Sequence, residues 1–419
     1  MSIRDRLLIA LCSSAALLVC AFAVPARADT PSLIARDVLF GNPEKISPRL
    51  SPDGKRLAWI APDKDNVLQV WVKTIGEDDD RIVTADRKRG IRMFFWAEDN
   101  RTIVYGQDTD GDENYHLYGV DLASRNVRDY TPFQGVRATL QAIDPAFANE
   151  MLVAMNLRDR TLNDIYRIDL ATGAVVLDTA NPGDVADWTT DARFQIRAAQ
   201  VTTPDGGTEI RIRDDPKSPW RKWMSAPPNE ILNFQGFTPD GGSAYVISSI
   251  GHDTAALIER NLASGAERRI VDSSEVDIEQ VVVNHRKHTI DAVAITAGRT
   301  SWIIVDPAVR ADYAAIIKLS DGDFEVISRN AANDVWLVAY TRDRGSVRYY
   351  AWDRKEKQGR FLFAQRPNLE GLALAEMKPI TFPARDGMKL YGYLTLPAGV
   401  PSDRPPLVLF VHGLSLIHI

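Results

Sequence analysis

Cysteine is almost missing from this chain. Of 419 residues only Cys12 and Cys20 carry a thiol, and both fall near the start. Everything after them is therefore excluded from thiolate catalysis, cysteine-based zinc binding and disulfide cross-linking. Positive charge is also short: 50 Lys and Arg stand against 56 Asp and Glu, a net charge of −6. A nucleic-acid binder clusters its basic residues. Here the densest basic run is Arg87-Lys88-Arg89, which reads as a solvated turn. No glycine-rich phosphate loop occurs, and no two carboxylates recur at a defined strand position, so glycosidase chemistry lacks its signature. His116, His252, His285 and His288 show no compact metal-ligand spacing. No metal and no cofactor is expected.

Long apolar runs are rare too, and the first has a clear meaning. Arg4 and Arg6 precede an apolar stretch, Leu7 to Val24, followed by Ala26-Arg27-Ala28. A basic start, an apolar middle and a small-x-small end form a secretory signal peptide. Residues 1–28 are expected to be removed, leaving a periplasmic or secreted chain without cysteine and without a membrane anchor. A core large enough to need no cross-link suits a chain of this length.

What is present is a repeat. A strand ending in Asp or a similar polar residue, then a tight turn, then another strand, recurs along the chain. Leu117–Ser124, Ile165–Gly173 and Leu257–Gly265 are the clearest copies, centred on Asp121, Asp169 and Asn261. Looser copies centre on Thr74, Asp215, Asp306 and Asp353, giving seven centres about 46 residues apart. A second phrase interleaves with the first, as in Ser51-Pro52-Asp53-Gly54 and Thr238-Pro239-Asp240-Gly241. Asp-Gly supplies the backbone angles a tight hairpin needs. Seven four-stranded units of this length predict a seven-bladed β-propeller over residues 29–375.

The texture then changes. Residues 379–383 and 389–397 read as two strands around an Arg385-Asp386-Gly387 turn. After a Pro-rich loop comes Pro406-Leu407-Val408-Leu409-Phe410-Val411-His412-Gly413. A continuous apolar strand of this kind suits burial on both faces of a mostly parallel sheet. Hairpin, apolar strand and His-Gly form the opening of an α/β-hydrolase sheet.

Residues 382–397 and 406–413 together resemble the prolyl oligopeptidase family of serine peptidases, in its bacterial dipeptidyl-aminopeptidase and acylaminoacyl-peptidase branch. Gly111–Tyr118 is similar to a propeller segment of that family. The resemblance implies an all-β propeller followed by the first strands of a truncated α/β-hydrolase domain over 376–413. It implies a parent that hydrolyses short peptides by an acyl-enzyme route, with peptide substrate as partner and no nucleic acid or membrane. It assigns His412 and Gly413 to the oxyanion-side loop. Asp112 or Glu113, at the propeller mouth, is expected to hold a peptide's α-amino group.

The family continues His-Gly-Gly-Pro; here Leu414 follows Gly413, and residues 414–419 are expected to be an artefactual tail. Gly413-Leu414-Ser415 lacks the second glycine of a Gly-x-Ser-x-Gly elbow, so Ser415 and His418 are not assigned catalytic roles. With no triad in the sequence, the 419-residue chain is expected to be inactive alone. The alternative, a stand-alone periplasmic propeller acting as a binding or scaffold protein, leaves the apolar strand at 406–411 without a purpose.

Overall fold

The structure, a computed structural model, describes residues 33–284, 286–397 and 406–411. Its strands group into seven antiparallel sheets in strict chain order, followed by a two-stranded hairpin. These sheets are the blades of a β-propeller. Blade 1 runs from residue 46 to 82, blade 2 from 94 to 129, blade 3 from 138 to 179 and blade 4 from 185 to 226. Blade 5 spans 232–271, blade 6 spans 280–304 and blade 7 spans 323–364.

Burial follows from stacking. The second strand of a blade is covered on both faces by its neighbours, and its sequence is continuously apolar. Arg56–Pro62 buries its five central residues, and Val335–Thr341 does the same. The outermost strand of a blade faces solvent, and Glu267–Val271 buries only its last residue. The core is accordingly divided among the blade interfaces. Ile60 and Val70 meet Phe94 and Ile103 between blades 1 and 2. Ile210 and Ile212 meet Phe237 and Val246 between blades 4 and 5. Every one of the seven interfaces has such a cluster.

The repeated polar residue caps the turn between third and fourth strands. Asp121 Oδ1 accepts from the Ser124 amide at 2.8 Å, Asn261 Oδ1 from Ser264 at 2.9 Å and Asp353 Oδ1 from Glu356 at 2.9 Å. Four residues after the cap the backbone turns left-handed, at Gly173 (φ 77°) and Gly265 (φ 71°) but also at Arg125 (φ 61°) and Lys357 (φ 53°).

Blade 6 corrects the expectation of seven four-stranded units, because it has three strands. Asp306 still acts as a cap, accepting from the Ala308 amide at 2.9 Å. It opens a short 3₁₀ turn that leads into a helix, Arg310–Ile316. Pro307 fits the first turn of a helix, and Arg-Ala-Asp-Tyr-Ala-Ala-Ile favours helix over a hairpin. The helix packs Tyr313 and Ile316 among Phe324, Trp336 and Tyr340 of blade 7. Its buried Asp312 accepts from Trp352 Nε1 at 2.9 Å, Arg354 Nε at 3.0 Å and Lys357 Nζ at 2.6 Å.

The ring closes without exchanging a strand, since blades 1 and 7 are each built from one continuous stretch. Side chains seal the seam. Leu50, Leu57 and Trp59 pack against Leu337, Ile327 and Phe363. Arg49 Nη1 donates to the Ile327 carbonyl at 2.8 Å, and the Leu50 amide to Ser328 Oγ at 3.2 Å.

Candidate functional site

In a blade whose strands run one to four outward, turns between second and third strands share a face with the connections between blades. Two groups of sequence-predicted residues meet that face. The first is the hairpin Met377–Pro383 and Lys389–Thr395. It rests on blades 5 to 7. Tyr393 Oη donates to the Gly298 carbonyl, in the second turn of blade 6, at 2.6 Å. The Met377 amide donates to Asp343 Oδ2, in the second turn of blade 7, at 2.8 Å. Lys389 Nζ lies 3.5 Å from Glu275 Oε1, in the connection from blade 5 to blade 6.

Ahead of the hairpin a charged clasp fixes the exit from the ring. Arg342 Nη1 and Arg348 Nη2 reach the two oxygens of Glu370 at 3.1 and 2.8 Å. Arg342 Nε also meets Asp321 Oδ2 at 3.0 Å. The Arg348 hydrogen bond holds the Glu370 carboxyl below the usual carboxylate range. The Met377 amide does the same for Asp343. This clasp was not legible in the sequence, because its members are separated by up to fifty residues and share no pattern.

The second group is the acidic loop after Thr102–Gln107, on blade 2 and so across the ring from the hairpin. Asp112 and Glu113 are exposed at its tip. They differ in availability. Asp112 Oδ1 accepts from the Asn114 amide at 3.1 Å and the Thr109 amide at 3.2 Å, and Oδ2 from Asn114 Nδ2 at 3.2 Å. The Asn114 side-chain bond leads in lowering its pKa. Asp112 thus builds the loop. Glu113 stands at φ 60°, and among the described residues its carboxylate has no hydrogen-bond or ion-pair partner.

Beneath the tip lies a cavity of about 320 Å³, bounded by Asp86 to Arg89, Gln107 to Asp110 and Tyr118. Asp108, with its side chain only 5% exposed, meets Arg89 Nε at 3.5 Å. Lys88 Nζ meets Asp110 Oδ1 at 2.6 Å. Arg87-Lys88-Arg89 is an exposed turn whose last two cations are neutralised by this loop. The walls carry charges of both signs, and among the described residues they contain no nucleophile paired with a base.

His412 and Gly413 lie outside the described residues, as do Ser415 and His418. Just before them, Pro406–Val411 differs from expectation. It pairs with no strand among the described residues, and Leu407 to Val411 are exposed. A strand covered on both faces needs flanking strands and helices, and the described residues supply none beside it.

No family model matches the chain. Curated proteins do. It is 37% identical over 404 residues to "Dipeptidyl aminopeptidase BIII" of Pseudoxanthomonas mexicana, covering 93% of this chain and 58% of that one. It is 23% identical over 422 residues to "Dipeptidyl peptidase family member 6" of Caenorhabditis elegans, covering 91% of this chain and 56% of the other. The chain thus spans less than three fifths of each relative. Among solved structures, a puromycin-hydrolysing peptidase of Mycobacterium tuberculosis superposes with a TM-score of 0.61 at 14% identity, over 90% of this chain and 63% of that one. A prolyl endopeptidase matches with a TM-score of 0.61 at 10% identity, covering 84% of this chain and 54% of the other. These structures share the propeller fold, and the likeness to named dipeptidyl aminopeptidases and peptidases supports a peptidase-like protein of the prolyl oligopeptidase kind.

Proposed function

We propose that this chain is the propeller part of an exported serine peptidase that removes short units from peptides through an acyl-enzyme. The observation that carries the reading is the likeness to a dipeptidyl aminopeptidase over almost the whole chain. In this reading the propeller caps a hydrolase domain that begins with the hairpin at residue 377. Ser, His and Asp of that domain would form and break the acyl-enzyme. None of the three is assigned to a residue of this sequence.

The propeller's part is to admit and orient the peptide. Glu113 is the better placed of the two acidic candidates for an α-ammonium group, since Asp112 is committed to its own turn. Residues 1–28 act as the signal for export, and the chain works in the periplasm or outside the cell.

The 419-residue chain is expected to release no product from a chromogenic dipeptide or acyl-amino-acid substrate. A peptidase joining residues 29–413 to a hydrolase domain with an intact triad is expected to do so. Glu113→Gln in that protein should raise KM about tenfold or more for a free amino terminus and leave an acylated substrate unaffected, because an unpaired ammonium loses its charged partner. Turnover by the 419-residue chain that Ser415→Ala abolishes would overturn the reading.

A further inference from the structure

The third strand of blade 6, Thr300–Ile304, is the outermost strand of its sheet, because the helix at Arg310–Ile316 stands where a fourth strand would begin. That helix fills the wedge between blades 6 and 7. The Tyr313 ring meets the Trp302 ring edge-on at 5.3 Å, and Tyr313 lies 6.1 Å from Trp336. It covers a face of the sheet, and the strand's edge has no other strand beside it among the described residues.

The direction of that edge follows from one bond. The Val305 amide donates inward to the Asp291 carbonyl at 3.0 Å. Main-chain groups alternate along an antiparallel strand, so Ser301 and Ile303 also face inward. Thr300, Trp302 and Ile304 present their N–H and C=O groups outward.

Composition singles this edge out. The outermost strand of every other blade carries charge: Arg81, Arg128, Asp178, Arg221, Arg268 and Arg360 are examples. Charged residues keep a sheet edge from pairing with another chain. Thr-Ser-Trp-Ile-Ile has no charge, proline or glycine.

We propose that this edge pairs with the same edge of a second copy of the chain, joining two three-stranded blades into one sheet across a two-fold axis. Three outward-facing residues centred on Trp302 fix an antiparallel register. Thr300 of each copy faces Ile304 of the other, and Trp302 faces Trp302, for about six main-chain hydrogen bonds. The same register sets Arg299 of one copy beside Val305 and Asp306 of the other, a pairing of opposite charge at both ends. On its own chain Arg299 is bound by Asp323 at 3.0 Å and Asp306 lies 3.6 Å from Lys287, yet the Arg299 side chain remains 46% exposed. The edge points outward from the ring, so pairing leaves the face that carries the hairpin free.

Sedimentation velocity of the chain over roughly 1–300 µM tests this, with a dimer expected at a Kd on the order of 10–100 µM. Ser301 is exposed, and Ser301→Lys brings two like charges to the axis and should weaken the dimer about tenfold or more. Ser225→Lys, on the exposed outer strand of blade 4, should leave it unchanged. A monomer throughout that range, or a dimer equally weakened by both substitutions or by neither, overturns the proposal. Matching thermal melts for all three proteins show that the fold is retained.

Discussion

The strands of blade 7 and those of the hairpin are both rich in apolar residues and have opposite fates. Val335–Thr341 is Val-Trp-Leu-Val-Ala-Tyr-Thr with five buried residues, while Met377–Pro383 is Met-Lys-Pro-Ile-Thr-Phe-Pro with none. Apolar character is common to both; cover is not. Blade 7 is closed in by blades 6 and 1, whereas the hairpin's polar contacts with the ring are two tyrosine hydroxyls, an amide and a lysine. The stability of a strand here depends on what lies over it more than on its own residues.

The largest test of that contrast removes one aromatic from each region. Trp336 is fully buried, with the guanidinium groups of Arg329 and Arg354 each 4.5 Å from its ring. Trp336→Ala should cost about 4 kcal/mol in urea unfolding, as large-to-small core changes do. Phe382, 47% exposed, should cost less than about 1 kcal/mol when changed to Ala. Similar losses at the two sites would break the comparison.

A smaller effect separates the regions by pH. Glu370 and Asp343 are carboxylates held below their ordinary range. Such groups stabilise the attached state above their unfolded values, near 4, and that contribution is lost as pH falls through the lower folded values. Between about pH 4 and 2, amides of Met377 to Thr395 should lose hydrogen-exchange protection, corrected for intrinsic rates, before those of Val335–Thr341 do. Simultaneous loss would count against the clasp.

The smallest effect concerns the repeated turn. Arg125 holds a left-handed angle that Gly173 and Gly265 hold at the same place in other blades. Arg125→Gly relieves strain of about 1 kcal/mol and adds some unfolded-state entropy, so a net gain of about 0.5 kcal/mol is expected in thermal melts. A loss of stability would show that Arg125 contributes a contact its glycine counterparts lack.

These turns also explain what the sequence made legible. Asp121, Asp169, Asn261 and Asp353 act within four residues of themselves, so a local pattern reports them and their spacing counts the blades. Asp306 obeys the same rule, and Pro307 beside it is a readable sign that no hairpin comes next. The seam joins residues 278 apart in the chain, and the clasp at Glu370 and the cavity under Asp112 each join side chains from separate turns, which no short pattern encodes. Of the candidate site, the acidic loop was visible as a run of Asp, Glu and Gly. That Asp112 is spent on its own turn and Glu113 is not could be seen only in three dimensions.

The closure without strand exchange has a consequence for how the molecule is made. Each blade is a contiguous segment, so its strands can pair as soon as that segment is free to fold. The outer face of blade 1 is different: Leu50, Trp59 and Arg49 wait for Ile327 and Leu337, and the Arg49–Ile327 bond spans 278 residues. Until blade 7 has folded, that face is a sticky surface with no cover. Binding of a holdase chaperone is therefore expected to centre on blade 1 and to end when blade 7 is complete.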